Sequence, residues 1–226
     1  MLELILENKE IAKIIYGFIL TIISIAIVLR TDYLFKISYH QGIRYFRNAF
    51  FFYGIAFIFR YLFFDLFISN PYPINYETIK FIFEFFLIMA GFFLLYSLIW
   101  KKFEDKEGYP SSLMNRSIII FYAMTLILVL IDLVWKSYYS LFISQIIIFL
   151  IASIVAYKNY INLGRERKFL KFYFIAMVLS LATWSINALA AFYLSWNPIA
   201  IISIYFLNIS VFFIILIGVF KFSNIK

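Results

Sequence analysis

The sequence predicts an all-α, single-domain integral membrane protein with seven transmembrane helices. Of its 226 residues, 65% are hydrophobic, and the mean hydropathy is +0.94. A soluble domain is about 45–50% apolar and could not bury this much apolar surface. The apolar segments recur at lengths near the ~20 residues that cross a bilayer core. They lack the period-two alternation of a membrane β-barrel, so a helical bundle covered by lipid is expected.

The seven predicted spans cover residues 11–29, 46–68, 78–100, 117–135, 140–157, 169–194 and 199–220. Each ends at a basic residue, a turn sequence or a tryptophan, in chain order Arg30, Asn70–Pro71, Trp100, Trp135, Lys158, Trp196–Asn197 and Lys221. Proline and glycine break helices, and tryptophan favours the membrane interface. These features place the span ends independently of hydropathy.

The distribution of basic residues predicts the orientation. Fifteen of the 20 Lys and Arg residues fall on the side of the C-terminus, four fall on the opposite side, and Arg60 lies within a span. Because cytoplasmic loops carry the excess of Lys and Arg, we expect the N-terminus outside and the C-terminus in the cytoplasm. The expected location is therefore the cell membrane, crossed several times.

Composition also excludes several classes of function. The net charge of +8 follows the loops, so it indicates topology rather than a nucleic-acid partner. Without cysteine and with His40 as the single histidine, thiolate or multi-histidine metal and haem sites are excluded. No HExxH, GxSxG or glycine-rich phosphate loop occurs. We therefore predict a protein that is not an enzyme and has no cofactor.

Two opposite charges lie deep within the second and third spans. Arg60 precedes the outer end of its span by about eight residues, and Glu84 follows the start of the next span by about eight. At 1.5 Å per residue, both lie about 12 Å below the outer surface. An ion in the bilayer core needs a partner or a wet cavity. We expect an Arg60–Glu84 pair and, nearer the surface, an Asp65–Lys80 pair, while Lys80 and Glu84 can also pair along one helix.

Other spans carry polar groups at a similar depth. Gln145, Asn187 and Asn208 each lie about eight to ten residues from the outer end of their span, and Trp184 is also within a span. Together with Arg60 and Glu84 they form the predicted ligand site. The alternative is that the amides only hydrogen-bond between helices, that Arg60 and Glu84 form a structural pair, and that Trp184 is core.

The predicted cytoplasmic side carries a second candidate binding site. Arg44 and Arg47 lie among aromatic residues at the start of the second span, where they could bind lipid phosphate or a partner protein. They could equally serve only to anchor the helix.

The chain arrangement is compatible with two triplets of spans joined by the fourth. Asn70-Pro71 precedes the third span, and Asn197-Pro198 precedes the seventh. This arrangement resembles the parallel triple-helix repeats of SWEET-type sugar transporters, although the Pro-Gln dipeptide of the wider family is absent. A retinal protein needs a lysine within the seventh span, where the first lysine is Lys221 at the cytoplasmic end.

The sequence thus leaves three functions open. The first is a ligand-binding or sensory bundle that takes a small molecule or anion and signals through a membrane or cytoplasmic partner protein. The second is a small-solute transporter with the three-plus-one-plus-three arrangement. The third is a structural subunit of a larger membrane complex.

Overall fold

A computed structural model describes residues 9–63, 76–102, 113–114, 116–162, 168–193 and 198–222. The helices in this part of the chain are α1 (Lys9–Ser38), α2 (Gln41–Phe57), α3 (Tyr76–Ile99), α4 (Arg116–Val134), α5 (Tyr139–Asn162), α6 (Lys168–Phe192) and α7 (Pro198–Phe222). A π-helical turn, Ile58–Phe63, follows α2, and a 3₁₀ turn, Trp100–Lys102, follows α3. The predicted all-helical fold is confirmed.

Six of the described helices, all except α2, are long and apolar enough to cross a membrane. Their length and composition indicate a multi-pass integral membrane protein. The remaining predicted span, the second (residues 46–68), is covered by the 17-residue helix α2 and the six-residue π-helical turn. The last five residues of that span, 64–68, lie outside the described residues.

Helix α1 continues well beyond the predicted end of the first span. Its apolar pattern runs on to Ile37 without a breaker, and Thr31 bonds its hydroxyl to the Ile27 carbonyl at 2.6 Å. The helix ends at Ser38, and the next residue, Tyr39, has a left-handed φ of 50° and donates its N–H to the Phe35 carbonyl at 2.8 Å. This is a left-handed C-terminal cap.

Six helices form a closed ring. Neighbours around it are α1, α2, α3, α5, α6 and α7, and α7 packs back against α1. Helices α1–α3 form one half of the ring and α5–α7 the other. Helix α4 packs on α3 and α5 from outside the ring.

The packing of α4 explains its place at the edge of the bundle. Its buried residues are Ile118, Thr125, Val129 and Asp132, which form one stripe at helical spacing. Large side chains on the opposite face are exposed, including Ile120 and Ile127 at 55% and 58%. In a membrane, lipid is the natural cover for such an apolar face.

Candidate functional site

A cavity of about 410 Å³ lies inside the ring, between its two halves. All six ring helices contribute to its wall, together with the π-helical turn and Tyr138 from the α4–α5 turn. The polar or aromatic side chains of the wall include Lys13, Tyr16, Tyr53, Arg60, Tyr61, Tyr76, Tyr138, Ser180, Trp184, Asn187, Tyr205 and Asn208.

Four of the six predicted ligand-binding residues line this cavity. They are Arg60, Trp184, Asn187 and Asn208, from α6, α7 and the π-helical turn. The other two, Glu84 and Gln145, are fully buried between helices and are not among the described residues of the cavity wall. The predicted polar layer therefore divides into a cavity wall and a packed set of interhelical contacts.

The π-helical turn positions Arg60 and Tyr61 on the cavity wall. Such turns place an extra residue in a helix and are frequent at functional sites. Here the turn packs against α1 at Gly17, where a Cβ atom would overlap the Tyr61 side chain, with its Cγ only 2.6 Å away. Only a glycine allows α1 to approach the turn this closely.

Aromatic rings surround the Arg60 guanidinium. Its Cζ lies 5.7 Å from the centre of the Phe83 ring, within cation–π range. The phenols of Tyr138, Tyr61 and Tyr76 interact with its charge. Tyr76 and Tyr138 also share a hydrogen bond of 2.6 Å between their hydroxyls, which joins α3 to the α4–α5 turn. Burial raises the pKa of Tyr138, against the influence of Arg60, so this phenol is neutral at pH 7.

A tyrosine cluster forms the wall between α1 and α7. The Tyr16 ring stacks on Tyr205 with centroids 4.0 Å apart and meets Tyr61 edge to face at 5.1 Å. Asn208 Nδ2 donates to the Tyr16 hydroxyl at 2.9 Å. Asn208 thus lines the cavity and also fixes the orientation of a buried phenol.

On α6, Trp184 and Asn187 occupy neighbouring positions of the wall. Trp184 packs edge to face against Phe142, at 6.2 Å between centroids. Asn187 Nδ2 donates to the Thr183 carbonyl at 2.9 Å, one turn earlier. Ser180 lies one turn before Trp184 on α6, and its hydroxyl donates to the Ala176 carbonyl at 2.8 Å. These local bonds allow polar side chains to face the interior of an apolar helix.

The predicted Arg60–Glu84 ion pair is not observed among the described residues. Glu84 instead pairs with Lys80, its Oε1 lying 3.7 Å from Nζ, as the i,i+4 spacing allowed. Arg60 is near enough for its charge to act on Glu84. The predicted partner of Lys80, Asp65, lies outside the described residues, so that pair stays a prediction.

Lys80 fastens α3 to the α4–α5 turn. Its ammonium donates to the Ser137 carbonyl at 2.6 Å and to the Asp132 carbonyl at 3.2 Å, and it lies 4.4 Å from the centre of the Tyr138 ring. Lys80 is 5% exposed. A buried ammonium is stable here because it donates to carbonyl groups and faces a carboxylate.

Asp132 has a role that the sequence reasoning missed. Lys136 is four residues further along, a spacing that allows an ion pair, but the fully buried Asp132 carboxylate accepts from the Ser140 N–H at 2.9 Å and the Leu141 N–H at 2.8 Å. It also accepts from the Ser137 hydroxyl at 3.1 Å. Asp132 therefore caps the N-terminus of α5. The signal available in the sequence was an acidic residue, Asp132, eight positions before the predicted span 140–157.

Gln145 ties α5 to α3. Its Nε2 donates to the Leu87 carbonyl at 3.1 Å, and Gly91 provides the space, since a Cβ there would lie 3.0 Å from Oε1 of Gln145. This geometry matches the interhelical hydrogen bond weighed above as the alternative to ligand binding.

Arg44 and Arg47 lie beside the α1–α2 turn, at the opposite end of the ring from Tyr76 and Tyr138 of the cavity wall. Both guanidinium groups lie over the Phe35 ring, at 5.6 and 5.9 Å, and Arg47 forms an ion pair with Asp32. His40 meets Trp100 edge to face at 5.3 Å, where desolvation and the nearby Lys101 lower its pKa. These contacts fasten the α1–α2 turn, and binding of lipid phosphate there remains a prediction.

Comparison with known proteins found no relative of this chain: no family model, curated protein or solved structure matches it. The class of the protein, a multi-pass helical membrane protein with an internal cavity, therefore rests on its own sequence and structure.

Proposed function

We propose that this chain is a non-enzymatic membrane protein that binds a small molecule within its six-helix ring, as the receptive part of a sensor. The cavity carries this proposal. Its volume of about 410 Å³ falls in the usual range for ligand sites of ~300–1,000 Å³, which often lie between the helices of bundles. Arg60, Trp184, Asn187 and Asn208 would contact the ligand.

The non-catalytic part of the proposal rests on the residue types at the cavity. Its described wall holds phenols, amides, one serine and the cations Lys13 and Arg60, but no carboxylate or histidine, and the single histidine of the chain, His40, belongs to the opposite end. A hydroxyl nucleophile needs a neighbouring base to become reactive. Binding is the function that these groups support.

We further propose that the cavity opens toward the outside of the cell. The charge distribution of the loops favours an external N-terminus, and the ring helices that begin outside, α1, α3, α5 and α7, contribute residues near their N-terminal ends to the wall. An epitope tag at the N-terminus should then react with antibody in intact cells. A tag at the C-terminus should react only after permeabilisation, and the reverse pattern would contradict this orientation.

Signalling would require a partner in the membrane or cytoplasm. A ligand between the two halves of the ring would contact α1–α3 and α5–α7 together. It could therefore bias their relative position, which the partner would read.

Fluorescence of Trp184 tests the binding proposal directly. Replacing Trp100, Trp135 and Trp196 by Phe leaves Trp184 as the only tryptophan. Three soluble probes share a bromophenyl group: 4-bromophenylacetate, 2-(4-bromophenyl)ethanol and 2-(4-bromophenyl)ethylamine. Bromine quenches an indole that it contacts. Saturable quenching by at least one probe, in nanodiscs of zwitterionic lipid, is expected, and purely linear quenching by all three would refute a binding cavity.

A small-solute transporter is the second candidate, favoured by the location of the cavity between two triplets of consecutive helices. In such transporters, the substrate site lies between repeats that rock around it. Uptake of a quenching probe into proteoliposomes, faster than into protein-free liposomes, would favour transport. Saturable binding without uptake would favour the sensory function.

A further inference from the structure

The chemistry of the cavity wall specifies a class of ligand, and this inference rests on the binding function proposed above. We propose that the cavity takes a monoanion with an apolar body, such as an aryl or alkyl carboxylate, with its charged group toward the mouth. The wall contains two cations, Lys13 and Arg60, and no carboxylate among its described residues.

Both cations belong to the outer part of the cavity. Lys13 is four residues from the start of α1, about 6 Å along the helix axis. Arg60 lies over Phe83, which is seven residues from the start of α3, or about 10 Å. The phenols of Tyr76 and Tyr138 stand at the same outer end. An anionic group is therefore best placed within the first ~10 Å of the cavity.

The deeper wall is neutral and largely apolar. It is formed by Leu87, Phe149, Val211 and Phe212, with Tyr53 packed edge to face on Phe212 at 5.3 Å. On α7 the wall extends from Ile201 to Phe212, about 16 Å along the axis. This length leaves room for a ring or short chain below the charged group. Ser180 and Asn208 add two polar groups at this level.

The surroundings of Arg60 favour a carboxylate over a neutral ligand. Phe83 occupies cation–π range over the guanidinium, a contact that uses the face of the planar group. Carboxylates bind the edge of the same group with two parallel hydrogen bonds. Two cations on one wall raise the local concentration of anions, so Arg60 and Lys13 together favour an anionic group over a neutral one.

The three bromophenyl probes distinguish this inference from the binding function itself. In the variant with only Trp184, the carboxylate should bind at least about tenfold more tightly than the matched alcohol, as one charge-assisted hydrogen bond would give. The amine should bind more weakly than the alcohol. Equal affinities, or preference for the alcohol or amine, would overturn the anion inference while leaving a binding cavity. Linear quenching by all three would refute both.

Two substitutions identify the cations responsible. Lys13→Gln and Arg60→Gln should each raise the Kd of 4-bromophenylacetate about tenfold or more and change that of the alcohol less than about twofold. Lys136→Gln, which removes an exposed cation away from the cavity wall, is the matched control and should change neither. If Arg60→Gln does not fold, Lys13→Gln and the probe series on the parent protein still test whether the cavity prefers an anion. Unchanged carboxylate affinity in the folded variants would refute the assignment.

The anion could come from water or from the bilayer, and a second competitor separates these sources. Unlabelled stearate and phenylacetate share the carboxylate but differ in the length of the apolar body. Displacement of the bromophenyl probe by phenylacetate alone would indicate a soluble acid, and displacement by stearate at lower concentration would indicate a lipid-derived acid. Displacement by neither would contradict a carboxylate site.

Discussion

Gly17 allows helix α1 to pack directly against Tyr61, a residue of the cavity wall. It lies where α1 crosses the π-helical turn, and any side chain there would overlap Tyr61. Gly54, in the facing helix α2, is a matched contrast, because a Cβ there would lie 3.5 Å from Ser24 in ordinary contact. Of these two helical glycines, Gly17 therefore has no space for a side chain, whereas Gly54 has space for a methyl group.

Gly17→Ala should destabilise the protein, although alanine normally favours a helix by about 0.5–1 kcal/mol. The overlap with Tyr61 forces a shift that costs about 1–3 kcal/mol. Gly54→Ala has no such overlap and should be neutral or slightly stabilising. Thermal unfolding in detergent measures both variants. A Gly17→Ala protein as stable as Gly54→Ala would mean that α1 and the turn are not in contact.

Lys80 and Glu84 form a buried pair in which the two partners contribute unequally. Lys80→Met would leave the Glu84 carboxylate without its counter-charge and two carbonyl groups without their donor, and should cost about 3–5 kcal/mol. Glu84→Gln should cost only about 1 kcal/mol, because neither Glu84 oxygen accepts a hydrogen bond from the described residues.

The double variant provides the control for this pair. Lys80→Met with Glu84→Gln should be less destabilised than Lys80→Met alone, because the buried carboxylate without its ammonium is removed. Additive losses in the free energy of unfolding would show that the two side chains do not interact.

At the scale of the elements, the α4–α5 turn is held by a buried acid. The Asp132 carboxylate accepts from two N–H groups in the first turn of α5, groups that have no partner within a helix. Lys80 bonds to the same turn from α3. The turn, which contributes Tyr138 to the cavity wall, therefore links three helices.

Asp132→Ala should cost about 2 kcal/mol of stability, because it removes a cap and leaves buried N–H groups unsatisfied. Lys136→Gln, which tests the partner suggested by sequence spacing, should change stability by less than about 0.5 kcal/mol. Comparable losses in the two variants, measured by thermal unfolding, would favour a local Asp132–Lys136 pair over the cap.

The sequence predicted the helices well because hydropathy and turn residues act locally. The predicted spans 78–100, 117–135, 140–157, 169–194 and 199–220 each end within a few residues of α3, α4, α5, α6 and α7. The π-helical turn at Ile58–Phe63 was not predictable, because no propensity distinguishes it from a regular helix and residue spacing does not reveal its contact with Gly17. The end of α1 was missed because its apolar pattern continues past Leu29.

At the scale of the whole molecule, the depth of the polar residues along their spans was predictable from the sequence. Which of those residues point into the cavity was only partly predictable. Counting residues along antiparallel spans put Arg60, Glu84, Gln145, Asn187 and Asn208 near one level. Which of them reach the cavity depends on how the ring is ordered and on α4 lying outside it, and neither is encoded in residue spacing. Lys13 was not among the predicted site residues, yet it supplies one of the two cations of the wall.

The ring architecture places function between two halves of three helices each. The cavity contacts both halves, so any occupant would couple them, whether the result is a signal or movement of a solute. The central claim is therefore that the interior of the ring is a cavity that water can enter, while the outer surface at the same depth faces lipid.

Cysteine accessibility tests this claim most directly, because the chain has no cysteine of its own. Ser180 and Ser210 are a matched pair: each is twelve residues from the α6–α7 connection, about 18 Å deep, and each bonds to a carbonyl one turn earlier. Ser180 lines the cavity, and Ser210 is not part of its described wall.

The reagent is the soluble, negatively charged 2-sulfonatoethyl methanethiosulfonate, which reacts with thiolates, a form that requires water. In membranes, Ser180→Cys should be modified and Ser210→Cys should not, as read by the mass of the intact protein. Modification of Ser210→Cys as fast as Ser180→Cys, or no modification of Ser180→Cys, would contradict an interior that water can enter.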